Sequence, residues 1–313
     1  KLLTIVINIA NDNYYDDLIY RTQKALDLNL FYLNSIKCHQ FVEFIFVDWG
    51  SKKKLSDIIL VNKKFKKLVK FIYVNEKISK KYSRYFPNNF NYEKSYNVGI
   101  RRSKGKYVLQ TGCDQFFSPI SWLNLINHLQ TNKYEDNLIL VPRKIIEIDL
   151  YLSNPSETYL NLLFRELNSP IYKFKPFTFY SGGGFSALLS RKNFYKLKGY
   201  NEGFKPGTSN DNDLFLRTDL LNINKINTDT FGVFMYKFPP LKNSLRNKLI
   251  YSKNTRIAPD IPNQYNVNSS YWGLSKYKLK SCFSNNLSTN YDNYNKFKKL
   301  LPYPSLKFNR YKA

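Results

Sequence analysis

Histidine and cysteine are scarce in this chain of 313 residues. The two histidines, His39 and His128, argue against an all-histidine metal site and against a histidine-based catalytic triad. The three cysteines, Cys38, Cys113 and Cys282, include no CxxC pair. They therefore indicate neither a disulfide framework nor a zinc site, and they favour a reducing compartment.

Long apolar runs and the common nucleotide motifs are also lacking. No run approaches the roughly 18 to 20 apolar residues that span a bilayer, and the opening KLLTIVINIAND turns polar too soon for a signal peptide. A cytoplasmic location is expected, and the start at Lys1 rather than at Met is compatible with an excised domain. The absence of a Walker A loop and of GxGxxG argues against P-loop ATPases and ordinary dinucleotide oxidoreductases.

Positive charge and aromatic side chains are abundant instead. The net charge is +26 and the aromatic fraction is 17%. Such a charge favours a polyanionic partner, which could be a nucleic acid, an anionic membrane surface or an acidic glycan. The many Asn, Lys, Ile and Tyr residues are typical of an AT-rich genome, so a single Lys or Asn carries little weight.

Apolar β-branched runs alternate with helical patterns along the first half of the chain. Strands are predicted at 2–9, 41–48, 67–74 and 106–114, with helices at 11–36, 52–65 and 91–105 between them. The second half predicts strands at 137–143 and 182–190, and helices at 122–130, 191–197 and 212–221. This alternation predicts an α/β domain with a mostly parallel central sheet.

The predicted domain organisation is a single α/β domain over 1–240, with a nucleotide-binding half at 1–118 and an acceptor and catalytic half at 119–240. Residues 150–180 are predicted as a proline-containing, loop-rich acceptor region. From 241 to 313 the chain is rich in Asn, Lys, Ser and Tyr, which indicates an irregular or helical C-terminal extension wrapped on the core.

Polar residues fall where such a sheet would bind a ligand. Asp48 and Asp114 stand at predicted carboxyl ends of strands, and ligands bind beyond those ends. Asn97 lies in a predicted helix, and Asp211 and Asp213 follow a glycine-led strand. Each has a structural alternative as a turn former, a helix N-cap or a surface residue. Together they suit transfer from a nucleotide-activated donor, with one acid for the ribose or base, one for a cation and one as general base.

Four motifs in register resemble a known family. TIVINIAND, FIFVDWGS and EKSYNVGIRRSKGKYVLQTGCD are similar to the nucleotide-binding half of glycosyltransferase family 2. SGGGFSALLSRKNFYKLKGYNEGFKPGTSNDNDLFLRT (181–218) resembles the C-terminal motif of β1,4-galactosyltransferases and chondroitin-polymerase-like enzymes. The resemblance covers residues 3–240 and implies a GT-A (Rossmann-like) fold.

The resemblance also implies roles on the donor side. Asp48 would contact the uracil or ribose, and Asn97 would line the nucleotide pocket. Asp114 matches the last Asp of an Asp-x-Asp motif and would bind a divalent cation, Mn²⁺ or Mg²⁺, on the diphosphate. Gly183 and Gly184 would let the backbone approach the donor sugar.

The same resemblance implies an inverting hexosyltransferase that uses a nucleotide sugar, with UDP as the nucleotide. Asp211 would be the general base, and Asp213 a structural or acceptor-orienting residue. Gly112, Trp49 and Asn210 depart from the family's acidic positions, and the family's metal-binding His is missing. Lys237 could then stabilise the departing diphosphate as a point charge.

Two alternatives to this interpretation remain, and a third possibility complements it. A catalytically inactive GT-A-like protein that binds a nucleotide or glycan would explain the three substitutions. A nucleic-acid-binding protein would explain stretches such as KKYSRYF (80–86), although the charge is spread along the chain. The charge could also hold a glycosyltransferase on an anionic membrane, through the tail 296–313, while it modifies a glycan or lipid-linked acceptor.

Overall fold

The computed structural model describes residues 1–11, 18–82, 90–132, 134–146, 186–203, 210–236 and 264–288. Within them lie six α-helices: α1 Leu18–Ser35, α2 Glu76–Tyr82, α3 Tyr92–Arg101, α4 Pro119–Gln130, α5 Arg191–Leu197 and α6 Asn210–Asp219. Short 3-10 helices occupy His39–Phe41, Leu55–Asp57 and Lys63–Leu68.

Thirteen strands accompany the helices in the described part of the chain. They are β1 Leu3–Ile9, β2 Val42–Trp49, β3 Val61–Asn62, β4 Val69–Val74, β5 Tyr107–Thr111, β6 Gln115–Phe116, β7 Asn137–Val141, β8 Arg143–Ile146, β9 Ser186–Ser190, β10 Asn224–Asn227, β11 Val233–Tyr236, β12 Lys280–Phe283 and β13 Leu287–Ser288.

Eight of these strands form the central sheet, in the order β10-β7-β9-β5-β1-β2-β4-β12. Strands β5, β1, β2 and β4 are parallel neighbours, whereas β9 and β12 run antiparallel to the strands they pair with. Strand β1 is buried along its whole length, as expected of a parallel strand covered on both faces. The predicted α/β class with a mostly parallel sheet is confirmed.

Two apolar clusters fill the space on the two sides of the sheet. One includes Phe44 and Trp122 and joins the sheet to α1 and α4. The other includes Val6 and Phe194 and joins it to α3, α5 and α6. A second sheet, in the order β6-β11-β8, continues from the end of β5. The helices are thus fixed on both faces, and α3 and α6 lie on the same one.

Local chemistry explains where several helices begin and end. The side chain of Asn91 accepts from the backbone N–H of Lys94 at the start of α3, and Ser118 accepts from Ser121 at the start of α4. Helix α3 ends at Arg101 rather than near the predicted Gly105. A Cβ on Gly105 would lie 2.5 Å from the backbone nitrogen of Thr4, so this glycine permits close approach to β1.

The region before α3 differs from the prediction in two places. The predicted helix at 52–65 is replaced by two 3-10 helices and the short strand β3. Its first residues are drawn out of a helix because the N–H of Leu55 donates to the buried carboxylate of Asp48, 2.8 Å away. Helix α2 was not predicted, since its sequence EKISKKY is short and mostly polar.

The C-terminal region contributes directly to the core fold. Strand β12 pairs with β4 and forms one edge of the central sheet, and β13 pairs with β3. The boundary predicted at residue 240 stays a prediction, but the described residues 264–288 are integrated into the domain. No helix in the described ranges has the length and apolar character needed to cross a membrane.

Candidate functional site

Two predicted site residues lie at the same edge of the central sheet. Asp48 is the next-to-last residue of β2, and Asp114 follows the end of β5 by three residues. Strand β1 lies between β2 and β5, so the two chain segments are about 10 Å apart across the sheet. This edge is the carboxyl end of the parallel strands, where the sequence predicts a ligand site.

Asp48 accepts a structural hydrogen bond and has a raised pKa. Its carboxylate oxygen Oδ2 accepts from the N–H of Leu55, which fixes the loop after β2. Burial raises the pKa of Asp48 to about 6, against the effect of hydrogen bonds from Ser51 and Leu55. The carboxyl group therefore anchors this loop, and its predicted contact with the donor stays a prediction.

Asp114 ends a tight turn that is held by one side chain. The Oε1 atom of Gln115 accepts from the hydroxyls of Thr111 and Ser186 and from the N–H of Gly112. A Cβ on Gly112 would lie 3.0 Å from the Nε2 atom of Gln115, so a larger residue there would require the end of this side chain to shift.

A cation of the protein itself lies beside Asp114. The guanidinium Nη1 of Arg21, on α1, is 3.9 Å from Oδ2 of Asp114, and both side chains are buried. In the described ranges no three acidic, histidine or cysteine side chains gather where they could hold a metal ion. Hard divalent cations prefer several oxygen ligands, so these residues do not by themselves fit the predicted cation.

The predicted general base lies in the first turn of α6. Asp211 is half-buried, and burial raises its pKa to about 6 while the positive charge of Arg143 on β8 acts in the opposite direction. A carboxyl group with this pKa is ionised at neutral pH, yet holds a proton more strongly than an ordinary aspartate. Both properties suit a general base.

A second carboxyl group accompanies Asp211. Glu93, in the first turn of α3, is buried; burial raises its pKa to about 7, and the negative charge of Asp211 adds to the shift. Glu93 therefore keeps its proton to higher pH than Asp211 does.

Two tyrosines connect this pair with the turn at Asp114. The rings of Tyr96 and Tyr200 are 5.8 Å apart, and the hydroxyl of Tyr96 donates to the carbonyl of Thr111. Burial raises the pKa of Tyr96, and the charges of Asp211 and Asp114 add to that effect. Tyr96 is thus within electrostatic range of both aspartates.

Asn97 has a structural position in the same helix. Its Nδ2 donates to the carbonyl of Tyr200 and to Oε1 of Glu202, at 2.8 and 3.0 Å, and its Oδ1 accepts from the N–H of Tyr200. The side chain is fully buried. These contacts join α3 to residues 199–202, and the predicted role of Asn97 at the nucleotide stays a prediction.

Asp213 also has a structural position. Its Oδ2 accepts from Nε of Arg217 at 2.8 Å, one turn later in α6, and both side chains are buried. The guanidinium of Arg217 then donates to the carbonyls of Leu197, Gly199 and Tyr265. Asp213 and Asp211 thus point to different surroundings, as expected for residues two apart on a helix.

The remaining predicted site residues lie outside the described residues. They are Gly183, Gly184 and Lys237. Sequence reasoning in turn missed Glu93, Arg143 and Arg21, which the fold brings next to the predicted acids. A signal existed for Glu93, since it lies in the first turn of a helix that carries a family motif. No comparable signal marked the two arginines, because their proximity depends on how distant segments pack.

No protein-family model and no curated protein sequence matches the chain. Among solved structures it is similar to Staphylococcus aureus TarS 1–349, with a TM-score of 0.48 and 12% identity over 75% of this chain and 60% of that one. The same TarS fragment in complex with UDP gives a TM-score of 0.47 and 12% identity, with coverages of 76% and 61%. A third match is TarS 1–349 in complex with UDP-GlcNAc, with a TM-score of 0.47 and 12% identity, over 76% of this chain and 59% of that one.

The chain thus spans about 60% of the length of the TarS fragment it matches.

Proposed function

We propose that this chain is a GT-A glycosyltransferase that moves a hexose or N-acetylhexosamine from a nucleotide sugar to a hydroxyl acceptor with inversion. The observation that carries the proposal is the half-buried carboxyl of Asp211, whose pKa is raised to about 6. The charges of Asp211 and of the strand-end acid Asp114 both act on Tyr96, in a domain with a sheet of the predicted class. For the donor we propose a UDP sugar, as the sequence resemblance implies.

The proposed reaction needs one proton transfer and one displacement. Asp211 takes the proton of the acceptor hydroxyl while that oxygen attacks the anomeric carbon. The bond between the anomeric carbon and the diphosphate oxygen breaks, and its electron pair leaves with the nucleoside diphosphate. Glu93 remains protonated through part of the neutral range, because its pKa is about 7, and so does not compete as a base there.

Positive charge in the candidate site would stabilise the leaving diphosphate. Arg21 beside Asp114 and Arg143 near Asp211 are the described candidates, and Lys237 is a further candidate from the sequence. A divalent cation would supply the same charge when bound. Since no three acidic, histidine or cysteine side chains gather around a metal position among the described residues, the proposed displacement involves no divalent cation.

The first experiment measures donor binding and turnover. We expect UDP-galactose, UDP-N-acetylgalactosamine, UDP-GlcNAc or UDP-glucose to raise the melting temperature, with the effect of Mn²⁺ measured in parallel. Asp211→Asn should abolish transfer and donor hydrolysis while it leaves the donor-induced thermal shift nearly intact. Asp219→Asn, an exposed carboxylate on the same helix, is the matched control. Full activity of Asp211→Asn would exclude Asp211 as the base.

A second candidate is a GT-A domain that binds a nucleotide sugar without turnover. It is favoured by the ion pair between Arg21 and Asp114, which occupies the position where the resemblance implies a metal ligand. Donor hydrolysis separates the two candidates. A donor-induced thermal shift without hydrolysis, at any Mn²⁺ concentration, would support the non-catalytic protein.

A further inference from the structure

Exposed lysines from three segments surround helix α2. Their side chains lie at the surface, on the loop after β2, on α2 itself and on the loop before β12. We call this set the basic ridge: Lys52, Lys53, Lys54, Lys77, Lys80, Lys81 and Lys276.

The loop after β2 adjoins the start of α2. The N–H of Gly50 donates to the carbonyl of Val74 at 2.8 Å, which holds this loop next to the end of β4. Lys80 forms an ion pair with Glu76, and the charges of Lys80 and then Lys52 hold the pKa of Glu76 below its usual value. The lysines of the loop and of the helix thus belong to one surface.

The C-terminal loop adjoins the other end of α2. The hydroxyls of Tyr82 and Tyr277 are 3.0 Å apart, and Lys276 lies over the ring of Tyr271 at 4.0 Å. The pKa of Tyr277 is lowered by its hydrogen bond with Tyr82 first, and also by the charges of Lys81 and Lys276. The ridge therefore continues from the helix to residues 271–277.

The lysines of the ridge destabilise helix α2, because they bring like charges together on it. Lys77, Lys80 and Lys81 are spaced i, i+3 and i+4, so they share one face of α2, and like charges at this spacing weaken a helix. Among the described residues, Glu76 is the acid that forms an ion pair with a lysine of the ridge. Such an arrangement is stabilised when an anion bridges the lysines.

The position of the ridge connects it with the candidate site. Its loop follows Asp48 and its helix follows β4, so both leave the sheet at the carboxyl edge. At the other end of α2, the carbonyl of Tyr82 accepts from Asn91, and the ammonium of Lys94 lies 4.7 Å from the centre of the Tyr82 ring. These residues begin α3, which also carries Glu93, and the charge of Asp211 acts on Glu93. The ridge therefore lies at the same end of the sheet as the candidate site.

We propose that the basic ridge binds an anionic polymer acceptor, a chain with phosphate or carboxylate groups at regular intervals, and directs its hydroxyl end towards Asp211. The acceptor role rests on the proposed function. Helix α2 rises about 10 Å over its seven residues, so its three lysines follow a line along the helix. A line of charge fits a chain, whereas a membrane presents a plane.

The test compares two triple variants of equal charge change. Lys77→Gln/Lys80→Gln/Lys81→Gln removes the helical part of the ridge. The matched control, Lys63→Gln/Lys66→Gln/Lys67→Gln, removes three exposed lysines from the 3-10 helix that precedes β4, at the opposite edge of the sheet. Binding of labelled polyphosphate and of labelled polyglutamate is measured by fluorescence anisotropy, with saturating UDP present so that the diphosphate position in the candidate site is occupied.

We expect the ridge variant to bind the preferred polymer about tenfold more weakly at physiological salt, and the slope of log affinity against log salt to fall by about 2. The control should stay within about twofold of the wild type, because its lysines lie away from the ridge. The preferred polymer distinguishes a phosphate-bearing from a carboxylate-bearing acceptor. Equal losses in the two variants, or no loss in the ridge variant, would overturn the proposal.

Two further measurements separate this proposal from its alternatives. A ridge variant that loses binding to phosphatidylglycerol vesicles but keeps its polymer affinity would assign the ridge to a membrane and overturn the acceptor proposal. Hydrolysis of the nucleotide sugar without acceptor should be unchanged in the ridge variant. If the wild type neither binds nor hydrolyses any nucleotide sugar, the proposed function fails and the acceptor role fails with it, whereas ridge-specific polymer binding would still establish an anion-binding surface.

Discussion

Two aspartates only two residues apart in α6 interact with groups of opposite charge. Asp213 is neutralised by Arg217 inside the protein, whereas Asp211 is half-buried beside Glu93, which shares its sign. The sequence predicts an acid cluster here and singles out Asp211, but it leaves the role of Asp213 open between structure and acceptor. The deciding fact is the packing of Arg217 against three backbone carbonyls, and this depends on residues as distant as Tyr265.

The first prediction at this scale concerns the pH dependence of transfer. A general base must lose its proton, so kcat/KM should rise with pH and level off above an apparent pKa of about 6. Arg143→Gln removes a positive charge that lowers the pKa of Asp211, so the acid limb of the profile, the rise of kcat/KM with pH, should move to higher pH. Glu93→Gln should keep the limb near pH 6, since Glu93 is still protonated there. A limb near pH 4 in the wild type would contradict the assignment.

The second prediction compares a buried with an exposed ion pair on the same helix. Asp213→Asn should lower the free energy of unfolding by about 3 kcal/mol, because it leaves the buried guanidinium of Arg217 without its counter-charge. Asp219→Asn removes the partner of Lys225, but Asp219 is 55% exposed, so the loss should stay below about 1 kcal/mol. Urea denaturation of both variants provides the comparison. Equal losses would show that Asp213 has no special structural role.

At the scale of elements, local patterns predict what depends on neighbouring residues. The strand and helix alternation around β1, α1, β2 and β5 is predicted correctly, and α5 agrees with its predicted range. The helix predicted at 52–65 fails because a buried carboxylate and strand pairing compete with helical propensity there. Strand β12 could not be predicted, since its pairing with β4 joins residues 280–283 to a strand two hundred residues earlier.

Helix α3 depends on the C-terminal segment for its position. The carboxylate of Glu202 accepts from Lys94, from Asn97 and, at 2.6 Å, from the N–H of Gly273. Arg101 and Arg102 donate to further carbonyls of the segment at residues 270–274. The carboxylate of Glu202 and the side chains of Arg101 and Arg102 therefore hold α3, which carries Glu93, against the segment 268–274.

The third prediction tests this fastening. Glu202→Gln removes the charge opposite the largely buried ammonium of Lys94, and the unfolding free energy should fall by about 2 kcal/mol. Amide hydrogen exchange should accelerate at 268–274, above all at Gly273, while the strands β1 and β2 keep their protection. Glu76→Gln, which breaks an exposed pair with Lys80, is the control. Uniform acceleration across the sheet would point instead to global destabilisation.

The whole molecule combines a large positive charge with several carboxyl groups that resist ionisation. Burial raises the pKa to about 6 for Asp27, Asp48 and Asp211, and to about 7 for Glu93. The net charge of +26 was visible in the sequence, but it did not show where the charge lies. The raised carboxyl groups could not be read from the sequence, because desolvation depends on the packed structure.

The last prediction follows from these carboxyl groups together. Each has a folded-state pKa above its unfolded value, so its contribution to stability is complete below about pH 4 and is lost as pH rises through 6 to 7. The free energy of unfolding should therefore be lower at pH 8 than at pH 5 by about 7 kcal/mol, because each aspartate contributes about 1.4 kcal/mol and Glu93 about 2.5 kcal/mol over this range. His39, whose pKa is lowered by burial, acts in the opposite direction but is a single group.

Urea denaturation at the two pH values, in high salt to screen the net positive charge, measures this difference. Asp211→Asn/Glu93→Gln should reduce it, because neither replacement titrates, and the double variant should gain stability at pH 8 and not below pH 4. A wild-type protein that becomes more stable between pH 5 and pH 8 would show that these carboxyl groups are ionised in the folded state. The basis for Asp211 as a base with a pKa near 6 would then be lost as well, since both predictions depend on the same desolvation.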